Sequence, residues 1–176
     1  MREILFRGKP KSNNEYYCFS QIWKDNCKSG FVYGLLIISK NKCFICVSAV
    51  GKKLNCCINN STVSIIEVLP ETVGQYTGLT DKNSKKIFEG DIVKDKSLPI
   101  VCGIGVIEFG NYEMRMDSSL INDDYSYHIG FYVKWIGIVD YRKDLAFWHN
   151  KVEVIGNIHD NPELLKEADD DKLKSN

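Results

Sequence analysis

Apolar residues along this chain fall into short β-branched and aromatic runs, and the three-to-four spacing of an amphipathic helix is nearly absent. Gly, Asn, Asp and Lys clusters separate the runs, which is the pattern of a mainly β protein. EILFRG predicts a first strand. After a turn cluster from Asp25 to Gly30, FVYGLLIIS and CFICVSAV flank Lys40-Asn41-Lys42 and predict a hairpin. LNCCI and VSIIEVL predict two more strands, the second running up to Pro70.

Beyond Pro70 the pattern changes. ETVGQYTGL alternates like a strand but is interrupted by Gly74 and Gly78, which suggests a bulge, a bend or close approach of another group. Thr80 to Ser84 is turn chemistry, KKIF follows, and Glu89-Gly90-Asp91 makes a tight corner into IVKD. VCGIGVIEF, GFYVKWIGIV and KVEVIGNI complete the strands. The polar stretch from Asn111 to Tyr127 reads as a long loop or insertion with some local structure. A short C-terminal α-helix is expected over ELLKEADDDKL, with Asp160 or Asn161 as N-cap and Pro162 in its first turn. The expectation is thus an N-terminal β-module over residues 1–69, then a small SH3-like barrel with the helix over 70–176.

Composition supports a packed core, at 44% hydrophobic residues. Lys plus Arg and Asp plus Glu both number 23, so the formal net charge is zero. That argues against a bulk electrostatic nucleic-acid binder, although Lys82, Lys85 and Lys86 form a local basic turn. No signal peptide is evident, and no apolar run approaches the roughly 20 residues that span a bilayer, so a cytoplasmic location without membrane insertion is expected. The odd count of seven cysteines fits a reducing compartment. Cys43 and Cys46 have C-x-x-C spacing, with Cys56 and Cys57 downstream. A zinc knuckle needs a tight turn between its thiolates, whereas residues three apart on a strand point to opposite faces. No metal or other cofactor is expected.

Catalytic motifs are also missing. The carboxylate pairs Asp123/Asp124 and Glu89/Asp91 are not placed across a cleft by anything in the sequence, and Asp91 reads as a turn residue. His128, His149 and His159 have no nucleophile in a recognisable motif around them. Nucleophile-elbow, zinc-helix and Walker patterns are absent, and Gly103-Ile104-Gly105 lacks the rest of a dinucleotide fingerprint. The expected class is therefore non-enzymatic. Aromatics crowd the segment from Tyr112 to Trp148, some for the core and others available to stack on a partner. Gln75, Tyr76 and Thr77, flanked by two glycines, are the candidate ligand-binding residues.

The motifs FRGK at the start, VYG with a nearby Leu, PETVGQYTGL with DKN, IFEGDIV, and EVIGNI with DNPELL together resemble the YopX family of phage and prophage proteins. The likeness runs end to end and is thinnest over residues 95–150. Ser84 stands where such proteins usually carry Gly, and the cysteine-rich segment 43–57 lies outside the pattern. The resemblance implies a small, mostly β protein encoded by a bacteriophage or prophage and acting in the host cytoplasm, with no catalytic residue to carry over. Three readings follow: a non-enzymatic accessory protein, neutral overall, that binds a host factor as a homo-oligomer; a protein sequestering a small nucleotide signal of host defence through Gln75, Tyr76 and Thr77; or a nucleic-acid-binding β-barrel. The first is the leading one.

Overall fold

The computed structural model describes residues 3–11, 30–48, 63–97, 103–115, 125–136 and 142–166. Cys56, Cys57, Asp123 and Asp124, and the LNCCI strand, lie outside the described residues. The fold is mainly β with short helical pieces, as the alternation predicts. The chain divides into two compact units, Met1–Tyr76 and Thr77–Asn176.

The N-terminal unit is built on strands β1 (Phe6–Gly8), β2 (Val32–Ser39), β3 (Lys42–Ser48) and β4 (Val63–Val68). They pair antiparallel in the order β4-β3-β2-β1. Past β1 the same N-terminal segment continues to the far edge of the sheet. Pro10 bridges Val68, the Lys11 amide donates to Glu67, and the Leu69 amide donates to Lys9. The segment after β1 thereby pairs with the β4 edge at Glu67–Leu69, covering part of the open backbone that an edge strand exposes. Val32, Ile45, Val47, Ile66 and Val68 fill the inside, with Phe6, Leu36, Cys43 and Val73 against them. β2 and β3 approach closely at Gly34, where an added Cβ would lie 2.1 Å from the Cys46 carbonyl oxygen.

Pro70–Thr72 forms one 3-10 turn. Thr72 fixes it by donating its hydroxyl to the Leu69 carbonyl (2.7 Å) while accepting the Lys9 amide (2.8 Å). β5 (Gly74–Thr80) follows, its first residues pairing with β1.

In the C-terminal unit the later residues of β5 run beside β6 (Lys86–Phe88). β7 (Asp91–Lys94), β8 (Ile104–Arg115), β9 (Tyr125–Trp135) and β10 (Glu153–Asn157) form an antiparallel sheet in the order β10-β7-β8-β9. A four-residue helix, α1 (Leu145–Trp148), precedes β10. The larger core joins Ile87, Val93, Ile107, Val133, Leu145, Trp148 and Val152. Ile92 and Ile104 form a smaller cluster with Leu164 and Leu165, which belong to the helical turn at 163–166. That turn is where the expected C-terminal helix begins.

Candidate interaction surface

The turn residues that make the sequence recognisable turn out to have structural partners. Asp81 is 4% exposed, and its carboxylate accepts three backbone amides: Asn83 (2.8 Å), Lys85 (2.9 Å) and Val154 (2.9 Å). It thus closes its own turn and ties that turn to β10. Ser84 takes φ 64°, the left-handed region, which accounts for Gly being usual at this place. Asp91 accepts the Phe88 amide (2.8 Å) across the Glu89-Gly90 corner, as a turn residue should. Asn157 accepts the amides of His159 and Asp160, ordering the approach to the last helical turn.

Gln75, Tyr76 and Thr77 are consecutive in β5. Gln75 pairs with Phe6 and is half-buried, while Tyr76 and Thr77 are buried at 6% and 7% exposure. The Tyr76 amide donates to the Leu5 carbonyl (2.8 Å). The Thr77 hydroxyl donates to the Ile87 carbonyl (3.0 Å) and accepts the Leu79 amide (3.2 Å). Gly78 has φ 86°, a backbone need that requires no ligand nearby. Cys43 and Cys46 both hold free thiols on β3, Cys43 against the interior cluster and Cys46 on the opposite side between Leu35 and Ile65.

The exposed chemistry gathers on the β8–β9 ribbon, where the sequence suggested a loop. Strand pairing runs without a break from Gly105↔Trp135 to Arg115↔Tyr125, so Asn111–Arg115 and Tyr125–Tyr127 are strand. On one face the pairs are Ile107↔Val133, Phe109↔Phe131, Asn111↔Ile129 and Glu113↔Tyr127. Ile107 and Val133 are fully buried in the core. Further out the same face leaves the core and carries exposed apolar side chains beside Asn111 and Glu113: Phe109 is 55% exposed, Ile129 77% and Tyr127 76%. Phe109 and Phe131 meet edge to face at 5.0 Å, which gives the patch a rigid base.

The opposite face is polar and internally bonded. Tyr132 donates its hydroxyl to Glu108 (2.7 Å), and Lys134 pairs with the other Glu108 oxygen (3.0 Å). Burial, helped by the Glu108 carboxylate, pushes the Tyr132 phenol up to about 12. Tyr112 stacks on its directly opposed partner His128 (5.4 Å) and, across the Gly110–Gly130 pair, on Tyr132 (5.2 Å). Burial also raises the Tyr112 phenol, with Asp144 adding to it and Arg142 opposing.

His128 Nε2 lies 2.7 Å from the Ser126 hydroxyl, a contact the sequence motifs did not announce. Residues two apart share a strand face, so S-x-H becomes readable once the strand is known. Such a pair resembles a nucleophile and its base, which a third group must orient. Among the described residues no carboxylate hydrogen-bonds His128, whose ring instead packs on Tyr112. His149 Nδ1 is 3.0 Å from the Thr80 carbonyl oxygen. Among the described residues no cluster of three or more His, Cys, Asp or Glu could hold a metal ion. No helix of the described residues is long and apolar enough to cross a membrane.

At the root of the ribbon, Trp135 and Trp148 meet edge to face at 5.0 Å, and both indole N–H groups donate to the Arg142 carbonyl. Phe147 lies between cations, with Lys151 Nζ 3.2 Å and the Arg142 guanidinium 4.4 Å from its ring centre. These rings are committed to packing, which separates them from Phe109, Tyr127 and Ile129.

Comparison with known proteins adds a lineage to this geometry. A family model described as YopX protein matches residues 5–166. Among curated proteins none matches the chain.

Proposed function

Because the chain belongs to the YopX family, we propose that it is a phage or prophage accessory protein that works by binding a host protein rather than by catalysis. The observation that carries this reading is the continuation of the core face of β8–β9 into solvent as Phe109, Ile129 and Tyr127. Three large apolar side chains on one sheet face are a patch, unlike singly scattered exposed residues, and patches mark sites of association. Covering each contributes about 1.5–3 kcal/mol toward binding before the costs of association are subtracted.

Charge indicates the kind of partner. The sequence from Asn111 to His128 holds Glu113, Asp117, Asp123 and Asp124 against Arg115 alone. Among the described residues Glu113, directly opposite Tyr127 on this face, favours a partner with a basic residue beside its apolar anchors and opposes a phosphate backbone. The test is a photoreactive amino acid placed at Tyr127, irradiated in host cells expressing the protein. A discrete cross-linked host protein that disappears in an Ile129→Asp background is the expected result. Adducts that are absent, or unchanged by Ile129→Asp, would overturn the proposal.

A further inference from the structure

The chain covers several of its sheet edges with its own residues. Lys9 to Lys11 lines part of the β4 edge. On β10 the Val154 amide donates to Asp81, the Val154 carbonyl accepts Lys85 Nζ (3.2 Å), and the Val152 carbonyl accepts the Lys82 amide (3.1 Å). On β9, Asp144 bridges Tyr132 and the Val133 amide donates to the Lys143 carbonyl (2.8 Å), on the side away from β8. Backbone direction alternates along a strand, so Tyr127 and Ile129 share the outward direction of Val133, while His128 turns its amide and carbonyl toward β8. Among the described residues none bonds the outward groups of Tyr127 and Ile129. The stretch leading up to the Lys143–Asp144 cover, residues 125–131, reads YSYHIGF. It holds no Lys, Arg, Asp, Glu or Pro, with which exposed edges resist the addition of another strand. The matching length of β8 does hold such residues, Glu108 and Glu113, and β6 holds Lys86.

We infer that β9 of a second copy of this chain pairs antiparallel with this edge, about a two-fold axis through His128. His128 is the middle residue of the stretch, so an axis there uses all of it. Tyr127 then stands opposite the partner's Ile129, and Ile129 opposite the partner's Tyr127. All of these residues point their backbone groups outward, so each pair exchanges both of its N–H···O=C hydrogen bonds. An axis between two residues would set outward groups against inward ones and lose those bonds. An axis through Ile129 would run the partner's Tyr125 onto Val133, whose amide Lys143 already holds. The stretch thus matches itself, as a two-fold contact requires. Its Tyr–Ile pairs lie on one face and are of the aromatic and β-branched kind that stabilises neighbouring strands. On the other face His128 lies beside the partner's His128, each stacked on Tyr112 of its own copy. No like charges stand directly opposite each other.

The contact joins the two ribbons into one sheet in the order β8-β9-β9-β8 and brings Phe109, Ile129 and Tyr127 of both copies onto a single apolar face. It uses the strand edge and leaves that face open, so it goes beyond the host-binding reading and stands or falls separately from it. One pair of short strand edges is a smaller contact than a standard interface, so the dimer forms reversibly as concentration rises.

The test uses the full chain in sedimentation velocity over a concentration series, where a mass that doubles as concentration rises is expected. Ile129→Pro removes an outward N–H while leaving the bonds to β8 in place, a position at which an edge strand accepts proline. It weakens association by at least about tenfold. Tyr127→Pro removes the other outward N–H and does the same, and circular dichroism verifies that each variant folds. His128→Cys reads the register. Directly opposed residues of a pair without hydrogen bonds have Cα atoms about 4.5 Å apart, within the span of a disulfide, so mild oxidation links two copies well beyond the wild-type level. Tyr127→Cys lies diagonally from its own counterpart at about 7–8 Å, too far to bridge, and stays at the wild-type level. A single-chain mass at every concentration overturns the inference. So does a dimer whose midpoint ignores both proline variants and which His128→Cys fails to link.

Discussion

Asp81→Asn replaces one carboxylate oxygen by an amide nitrogen at almost unchanged volume. In the native chain the two oxygens accept three amides at 2.8–2.9 Å, from Asn83, Lys85 and Val154. Oδ1 serves the two turn amides, Oδ2 the Val154 amide. In the Asn variant one of these places must present an N–H to an N–H. If the turn keeps the oxygen, the Val154 amide loses its acceptor in a buried setting, at about 1–3 kcal/mol. Loss of charge weakens the two remaining hydrogen bonds, adding about 1 kcal/mol. The exposed turn residues regain water and limit the damage, so the expected total is about 3 kcal/mol. For a chain of this length that lowers the melting midpoint by about 6–12 °C. Urea unfolding followed by tryptophan fluorescence is a suitable assay, because Trp135 and Trp148 both sit in the same core as Val154. A midpoint within about 0.5 kcal/mol of wild type would refute the reasoning, since it would mean that Asp81 does not tie its turn to β10.

Three further outcomes follow from the same geometry. Ser84→Gly relieves a left-handed φ of 64° and raises stability by about 0.5–1 kcal/mol, measurable as a higher melting midpoint; a lower midpoint contradicts the strain argument. Gly34→Ala drives a Cβ to 2.1 Å from the Cys46 carbonyl oxygen, where only backbone can yield, and should prevent folding of the N-terminal unit by circular dichroism and solubility. Tyr132 ionises near 12 rather than at 10.0, because burial and then Glu108 disfavour the phenolate. A raised pKa gives stabilisation that is complete below pH 10 and lost as pH climbs through 12. Ultraviolet titration should show one late phenol that Tyr132→Phe removes, and a spectrum unchanged by Tyr132→Phe in that range speaks against it.

The fold was largely readable because most strands bury one face and so alternate, or bury both and run apolar. β8 and β9 hid their outer halves for a physical reason. Where a ribbon leaves the core, neither face needs to be apolar, and NYEMR reads as a polar loop although its cross-strand pairs hold it extended. α1 escaped because four residues complete barely one helical turn. The turn signatures were visible in sequence, but not which distant amides they serve: Asp81 reaches Val154, and Thr72 reaches Lys9. The glycines around Gln75-Tyr76-Thr77 looked like room for a ligand, and φ at Gly78 shows a backbone cause that spacing alone could not reveal. Exposure of Tyr127 and Ile129 beside the packed Trp135 and Trp148 needed coordinates, because rings in one aromatic-rich segment look alike on paper.

Parallel capture from host lysate with three immobilised forms tests the central claim most directly: wild type, the pair Phe109→Ser with Ile129→Ser, and Gln75→Ala. The account predicts that wild type and Gln75→Ala retain the same specific protein while the ribbon variant, folded to the same melting midpoint, loses it. Retention by the ribbon variant with loss by Gln75→Ala would contradict the account and return function to β5.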